Sequence, residues 1–171
     1  MIAVADEKDV AEIVQIVNLA YRGESSKQGW TTEADLLLGD KRTDEESLLE
    51  LMQGPGSIFL KYLDEQNLIK GSVFLSKKEN GLYLGMLTVS PLEQAKGIGR
   101  QLMTAAENYA RTQNCRVIFM RVITVRKELI EWYEKQGFRD TGLREPVIFD
   151  TRFGIPTQEL EFMILEKPLL M

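Results

Sequence analysis

The chain has 171 residues, of which 44% are hydrophobic and 27% are charged, a balance typical of a folded domain with one sizeable core. Its 21 Lys and Arg against 26 Asp and Glu give a formal net charge of −5, which argues against a broad nucleic-acid or anionic-membrane surface and is compatible with a cationic partner. Cys115 is the only cysteine and histidine is absent, which excludes an intramolecular disulfide, a Cys/His zinc cluster and a histidine base.

The N-terminus, MIAVADEKDV, lacks the basic segment and apolar run of a targeting peptide. No apolar run approaches the length needed to span a bilayer, so we expect a cytoplasmic protein with no membrane partner. Because no repeat, low-complexity segment or long linker divides the chain, we expect a single domain over residues 1–171.

The first half of the chain predicts two helices separated by a polar, irregular segment. Apolar residues recur at helical spacing over residues 7–20, and Asp6 is available as the N-cap. After a stretch rich in Gly, Ser and charge, DEESLLELMQ predicts a second helix, which GPG at residues 54–56 ends.

Three strand-like runs follow, SIFLKYL, LIKGSVFLS and GLYLGMLTV, and the short polar turns between them predict an antiparallel meander. Helix then alternates with strand, with helices predicted over residues 97–113 and 127–136 and a strand over residues 115–125. Two closing strands are predicted around residues 143–150 and 158–166. The sum is a mixed α/β fold.

Two glycines, Gly97 and Gly99, lie where the third strand-like run passes into a helix. A helix N-terminus carries unpaired N–H groups and partial positive charge, so a glycine-rich entry to it can bind phosphate, with Lys96 and Arg100 adding charge. Leu102 stands where a dinucleotide fingerprint needs a third glycine, and the Gly-Lys-Ser/Thr of a P-loop is absent. A tight turn with no ligand is the alternative interpretation.

The segment QAKGIG resembles the Q/R-x-x-G-x-G/A motif of the GCN5-related N-acetyltransferases, because a strand precedes it and an amphipathic helix follows. Downstream, LIEWYEKQGF is similar to the helix of that family that ends in Tyr-x-x-x-Gly-Phe. The resemblance implies a mixed, mostly antiparallel sheet of six to seven strands flanked by helices. It also implies acetyl-CoA as co-substrate, held by a strand end and by the glycine loop: Leu87, Thr88, Val89, Gln94, Ala95, Lys96, Gly97, Ile98, Gly99 and Arg100.

The same resemblance gives Tyr133 the role of acid that protonates the leaving thiolate, whereas its helical spacing alone is equally compatible with a core aromatic. Gly137 is predicted to end the helix in the left-handed conformation, and Phe138 to enter the core. The family often has Asn where this chain has Arg126, which leaves a contact with a cofactor phosphate or a solvated position at the helix start as alternatives.

The resemblance implies that an acceptor amine attacks the thioester directly, so a carboxylate base is expected. Strand GLYLGMLTV has no acid, which leaves Glu33 and Asp35 of the polar segment as candidates, with Trp30 able to pack against a substrate cation. Acids in the first turn of a helix are the alternative, since TTEAD also fits a cap. No metal is expected.

We therefore expect an acyltransferase that acetylates a primary amine on a small molecule or a protein. A domain that binds CoA without turnover, as a sensor, is the alternative. No nucleic-acid partner is expected, and a homodimer is compatible with the sequence.

Overall fold

The computed structural model describes residues 1–22, 36–39, 41–93, 96–148 and 150–170. A seven-stranded sheet in the order β1-β3-β4-β5-β6-β9-β7 dominates this part of the chain, and two short strands form a second sheet. Every strand pair of the large sheet is antiparallel except β5 with β6. The predicted mixed, mostly antiparallel sheet is therefore confirmed. Its strands are β1 (Ile2–Val4), β3 (Ser57–Leu63), β4 (Ile69–Lys78), β5 (Gly81–Val89), β6 (Val117–Ile123), β7 (Arg139–Pro146) and β9 (Glu161–Pro168).

The helices α1 (Val10–Tyr21) and α2 (Glu45–Gln53) cover one face of the sheet, and α3 (Ile98–Thr112) and α4 (Lys127–Lys135) cover the other. Side chains along a strand alternate between faces, so each face collects its own apolar cluster. The cluster under α3 and α4 includes Leu82, Leu102 and Leu165, and the cluster under α1 and α2 includes Leu48 and Phe59.

Capping residues begin or end several elements, and two of them, Asp6 and Gly137, were predicted from the sequence. The Asp6 carboxylate accepts from the Lys8 amide, although the turn that it caps over Glu7–Asp9 is a 3₁₀ turn that leads into α1. Asp44 caps α2 by accepting from the Ser47 amide. Gly137, at φ +100°, follows the last turn of α4 as predicted.

The C-terminal part differs in detail from the expectation. The strand predicted around residues 143–150 begins earlier, at Arg139, and the strand predicted around residues 158–166 extends to Pro168. Between them, β8 (Ile155–Pro156) pairs with β2 (Leu37–Leu38). Strand β1 was also missed, since three residues are too few for a periodic pattern.

No helix among the described residues is both long and apolar enough to cross a membrane.

Candidate active site

A gap opens in the middle of the large sheet, between β5 and β6. The two strands pair in parallel only at Leu82 with Ile118 and at Tyr83 with Phe119, and beyond these pairs they diverge. A bulge helps to cause this, because the β4–β5 register shifts opposite Val73 and Met86 takes a positive φ of 47°. A cavity of about 410 Å³ lies at the gap, lined by residues of α1, β5, β6 and α4.

The end of β5 borders this gap. Ser90 donates its amide to the Lys70 carbonyl of β4, and hydrogen-bonding direction alternates along a strand. The backbone of Thr88 therefore also faces β4. Leu87 lies at the bulge, and its carbonyl accepts from the Tyr21 hydroxyl. Of the three strand residues that the sequence assigned to the cofactor, Leu87 lines the cavity, and the assignment of all three stays a prediction.

The N-terminus of α3 lies next to this end of β5. Gly97 forms the helix N-cap in the left-handed conformation, at φ +79°, and a Cβ there would meet no atom within 4 Å. The helix reaches the sheet because Gly71 of β4 has no side chain: a Cβ on it would lie 2.9 Å from Ile98 Cγ2 and 3.0 Å from Leu102 Cδ1. Sequence reasoning missed Gly71, although an isolated glycine inside a strand pattern is a signal of close approach.

The other loop residues that the resemblance assigned to the cofactor phosphates differ from one another in burial and in their partners. Lys96 is exposed, and its ammonium lies 2.5 Å from a Glu93 carboxylate oxygen, which raises the lysine pKa. Arg100 is exposed, whereas Ile98 and Gly99 are buried in the first turn of α3. Gln94 and Ala95 lie outside the described residues.

Tyr133 is buried on α4 and lines the cavity. Its position is fixed by the way the helix ends, because the Phe138 amide donates to the Tyr133 carbonyl and the Gly137 amide donates to the Glu134 carbonyl, the pattern of a Schellman motif. Burial, together with the nearby Tyr21 phenol, raises the pKa of the Tyr133 phenol well above its usual range, and the charge of Arg126 partly offsets this. The phenol is therefore protonated at neutral pH.

A second phenol, Tyr21 at the end of α1, bonds directly to the strand that borders the gap. Its hydroxyl donates to the Leu87 carbonyl at 2.7 Å. The guanidinium carbons of Arg42 and Arg126 lie 5.6 Å and 5.9 Å from the centre of its ring. Sequence reasoning missed Tyr21, and its only signal was a polar aromatic at the end of an apolar helix face.

Arg126 is half-buried at the start of α4, lines the cavity and stacks over Tyr21. It therefore lies at the helix start, as one of the two alternatives has it, but is only partly solvated, and a contact with a cofactor phosphate stays a prediction. Its guanidinium lies over the Tyr21 ring, and its positive charge lowers the pKa of the Tyr133 phenol against the effect of burial.

The wall opposite the helices α3 and α4 is built from segments distant in sequence. Buried Arg22 donates to the carbonyls of Lys41 and Phe153 and so joins them to the end of α1. Gly154 makes room for it, because a Cβ there would lie 2.8 Å from Arg22 Nη1. The pairing of β2 with β8 closes the same wall.

Among the described residues, the charged side chains that line the cavity are Arg22, Arg42, Arg121, Arg126 and Asp150. The Asp150 carboxylate accepts from Nε and Nη2 of Arg152, at 2.9 Å and 2.6 Å, and this pair lowers the aspartate pKa. It is thus poorly suited to accept a further proton. The candidate base Glu33, its neighbour Asp35 and Trp30 lie outside the described residues.

Comparison with known proteins identifies relatives by family and by fold. The model of the Acetyltransferase (GNAT) family matches residues 11–138, which is more than half of the chain. No curated protein matches the chain in sequence at a significant level.

Several solved structures share the fold. The protein smu.2055 from Streptococcus mutans UA159 is 18% identical with a TM-score of 0.73, and 98% of each chain is covered. The yncA protein from Salmonella typhimurium, solved with its cofactor acetyl-CoA, is 20% identical with a TM-score of 0.71, over 100% of this chain and 94% of that one. The ribosomal-protein-S18-alanine N-acetyltransferase from Escherichia coli is 15% identical with a TM-score of 0.72, over 100% of this chain and 94% of that one.

Proposed function

The chain belongs to the GNAT acetyltransferase family, and from this we propose that it transfers an acetyl group from acetyl-CoA to a primary amine by direct attack. One observation carries the proposal: β5 stops pairing with β6 at a gap lined by a buried, protonated phenol, and the N-terminus of α3 lies next to that end of β5. We propose that a phosphate site at the start of α3, a site for an extended arm along β5 and an acid at Tyr133 lie next to one another. We further propose one N-acetyltransferase domain over residues 1–171.

The residues around the gap fit acetyl-CoA. The first N–H groups of α3 have no partner inside the helix, and the open space over Gly97 would admit a phosphate close to them. We propose that the pantetheine arm lies along the end of β5, where this strand no longer pairs with β6. Arg100, exposed on the first turn of α3, would add charge at the phosphates.

When bound, acetyl-CoA supplies a thioester whose carbonyl an amine can attack and whose sulfur leaves as a thiolate. The Leu87 amide is the backbone donor that we assign to the carbonyl oxygen, where negative charge develops. Tyr21 holds this part of β5 in place through its bond to the Leu87 carbonyl.

We assign Tyr133 as the acid. The phenol holds its proton at neutral pH. Burial raises its pKa and so makes it a weaker donor, whereas the charge of Arg126 acts in the opposite direction and would stabilise the phenolate that remains after the proton has moved. The amine loses one proton as its bond to carbon forms, so the protons balance overall. Glu33 remains our candidate for the group that accepts that proton, since the one acid described at the cavity is paired with an arginine.

The assignment of acetyl-CoA is tested by two glycine variants. Gly97→Glu places bulk and negative charge at the proposed phosphate site, so acetyl-CoA affinity measured by calorimetry should fall below detection. Gly142→Glu is the matched control, because Gly142 also has a positive φ, +86°, and open space around its Cβ position, but lies on β7 outside the gap. If the two variants bind acetyl-CoA with equal affinity, the assignment of the phosphate site to the start of α3 is wrong.

A second measurement distinguishes the enzyme from the alternative, a sensor that binds CoA without turnover. Release of free thiol from acetyl-CoA should depend on an added amine when a panel of amines, amino acids and peptides is screened. If calorimetry shows binding and no member of a broad panel causes release, the sensor interpretation replaces the enzyme.

A further inference from the structure

We propose that the acceptor carries an apolar group, an alkyl or aryl substituent, next to the amine that is acetylated; this inference rests on the proposed function. The observation behind it is a third apolar cluster, separate from the two that lie under the helices. In the described part of the chain it has three buried and three partly buried members. Four of these six residues also line the cavity: Leu37, Ile123, Val147 and Phe162.

Ile148 follows Val147 in the chain and extends this apolar surface to the mouth of the cavity. It is a lining residue of the cavity, yet it is 89% exposed to solvent, and Val147 and Phe162 are only half-buried. An apolar group that covers these side chains removes their surface from water, which is favourable. We call the surface formed by Leu37, Ile123, Val147, Ile148 and Phe162 the apolar wall.

The apolar wall lies across the gap from the strand residue that we assign to the thioester. Five residues beyond the paired Leu82 and Ile118, the two strands reach Leu87 and Ile123. These two lie at the same level to within about one residue, because β5 contains the bulge. Both line the cavity, and Ile123 pairs with Phe162 of β9, so the wall continues away from the gap. A substituent on the attacking amine can therefore reach the wall inside one cavity.

The charged side chains of the cavity do not favour a second charge on the acceptor. Each charged lining residue in the described part of the chain is engaged within it: Arg22 by backbone carbonyls, Arg121 by Glu145, Asp150 by Arg152, and Arg42 and Arg126 by the Tyr21 ring. A second charged group on the acceptor would compete with these contacts. An apolar group on the wall competes with none of them.

The size of the cavity limits the acceptor. Its volume of about 410 Å³ has to hold the thioester end of the proposed co-substrate as well as the amine and its substituent. We therefore infer a small alkyl or aryl amine as the occupant of the apolar wall, and not a protein segment.

The test measures kcat/KM at saturating acetyl-CoA for ethylamine, propylamine and pentylamine, whose ammonium groups have nearly the same pKa. We expect kcat/KM to rise about fourfold for each methylene that the wall covers, which corresponds to about 0.8 kcal/mol. 3-Methoxypropylamine has an oxygen where pentylamine has a methylene, so it should be turned over more slowly than pentylamine. Values of kcat/KM that stay constant or fall with chain length would overturn the inference.

Ile148→Gln keeps the size of the side chain and makes it polar at an exposed position. We expect the pentylamine-to-ethylamine ratio of kcat/KM to fall by roughly fourfold or more, and the ratio cancels any loss that is common to both amines. Ile155→Gln is the matched control, because Ile155 is also exposed, at 56%, but does not line the cavity. It should keep the ratio, and an equal change in both variants would overturn the inference.

Two further outcomes are distinguished by separate measurements. If Ile148→Gln changes the molar mass measured by light scattering and leaves the ratio unchanged, the apolar wall is an interface between copies of the chain and the inference is wrong. Turnover of other amines with no dependence on chain length would overturn the inference alone. No turnover of any amine, in this series or in the broad panel, would overturn the proposed enzyme together with the inference.

Discussion

At the scale of single residues, Tyr133 combines a place in the core with a place at the cavity, where we propose that it acts as the acid. Its ring contacts Trp132 and Phe138 edge-on, at centroid distances of 5.3 Å and 5.7 Å, so it is part of the core. The same residue lines the cavity. The two interpretations open at the level of sequence, core aromatic and acid, are therefore compatible in space.

Tyr133→Phe keeps the ring contacts and removes the phenolic hydroxyl with the proton that it would donate. We expect kcat to fall roughly a hundredfold, the lower range for loss of a general acid, while acetyl-CoA affinity changes little. Steady-state kinetics and calorimetry on the same preparation would measure both. A rate equal to that of the unaltered protein would leave Tyr133 with the packing role alone.

The pH profile offers an independent check on the same phenol. Its pKa is raised, so the phenol remains protonated as pH passes 10, where an ordinary tyrosine would lose its proton. The rate should therefore rise with pH as the acceptor amine loses its proton, and should show no fall near pH 10. A decline centred there, at a pH where the protein is still folded by circular dichroism, would contradict the assignment.

At the scale of elements, Gly71 determines how α3 meets the sheet. Gly71→Val would place a branched side chain where a Cβ alone already lies within 3.0 Å of Leu102 and of the Thr88 carbonyl. We expect α3 to move away from β5, lowering acetyl-CoA affinity by tenfold or more and the free energy of unfolding by about 1–3 kcal/mol, the usual cost of overpacking.

The control for that variant is Gly54→Ala, which lies beyond the C-terminal end of α2 and far from the gap, at a negative φ. It should change stability without changing acetyl-CoA affinity. Chemical denaturation and calorimetry would measure the two quantities, and equal loss of affinity in both variants would show that α3 placement is not the cause.

Most of the helices and strands could be predicted from the sequence, because each long element carries its own periodic pattern and caps. Strands β3, β4 and β5 and helices α2, α3 and α4 lie within a few residues of the prediction. What could not be predicted is which residues from distant segments meet. Three residues distant in sequence from β5 line the cavity because α1 ends beside that strand: Tyr21, Arg22 and Arg42. This arrangement follows from the order of the strands in the sheet, which no local sequence pattern contains.

At the scale of the whole molecule, the sheet separates two apolar clusters. Leu102 is fully buried under α3, and Leu48 is fully buried under α1 and α2 on the opposite face. Leu102→Ala and Leu48→Ala should each lower the free energy of unfolding by about 2–5 kcal/mol.

Because the two sites share no cluster, the double variant should lose the sum of the single losses to within about 0.5 kcal/mol. Urea denaturation of the four proteins of this cycle would measure it. A larger deviation would mean that the faces are coupled through the sheet.

The gap between β5 and β6 also determines how the stability of the molecule should respond to the acetyl-CoA that we propose it binds. Four strands lie on one side of the gap and three on the other, and only the short β5–β6 pairing joins them within the sheet. A bound pantetheine arm would act as an additional strand that links the two halves. Binding to the folded state alone at a hundredfold excess over Kd adds about 2.7 kcal/mol to stability. Amides on both sides of the gap should then exchange with solvent more slowly, so the ligand would contribute to the fold as well as to the reaction.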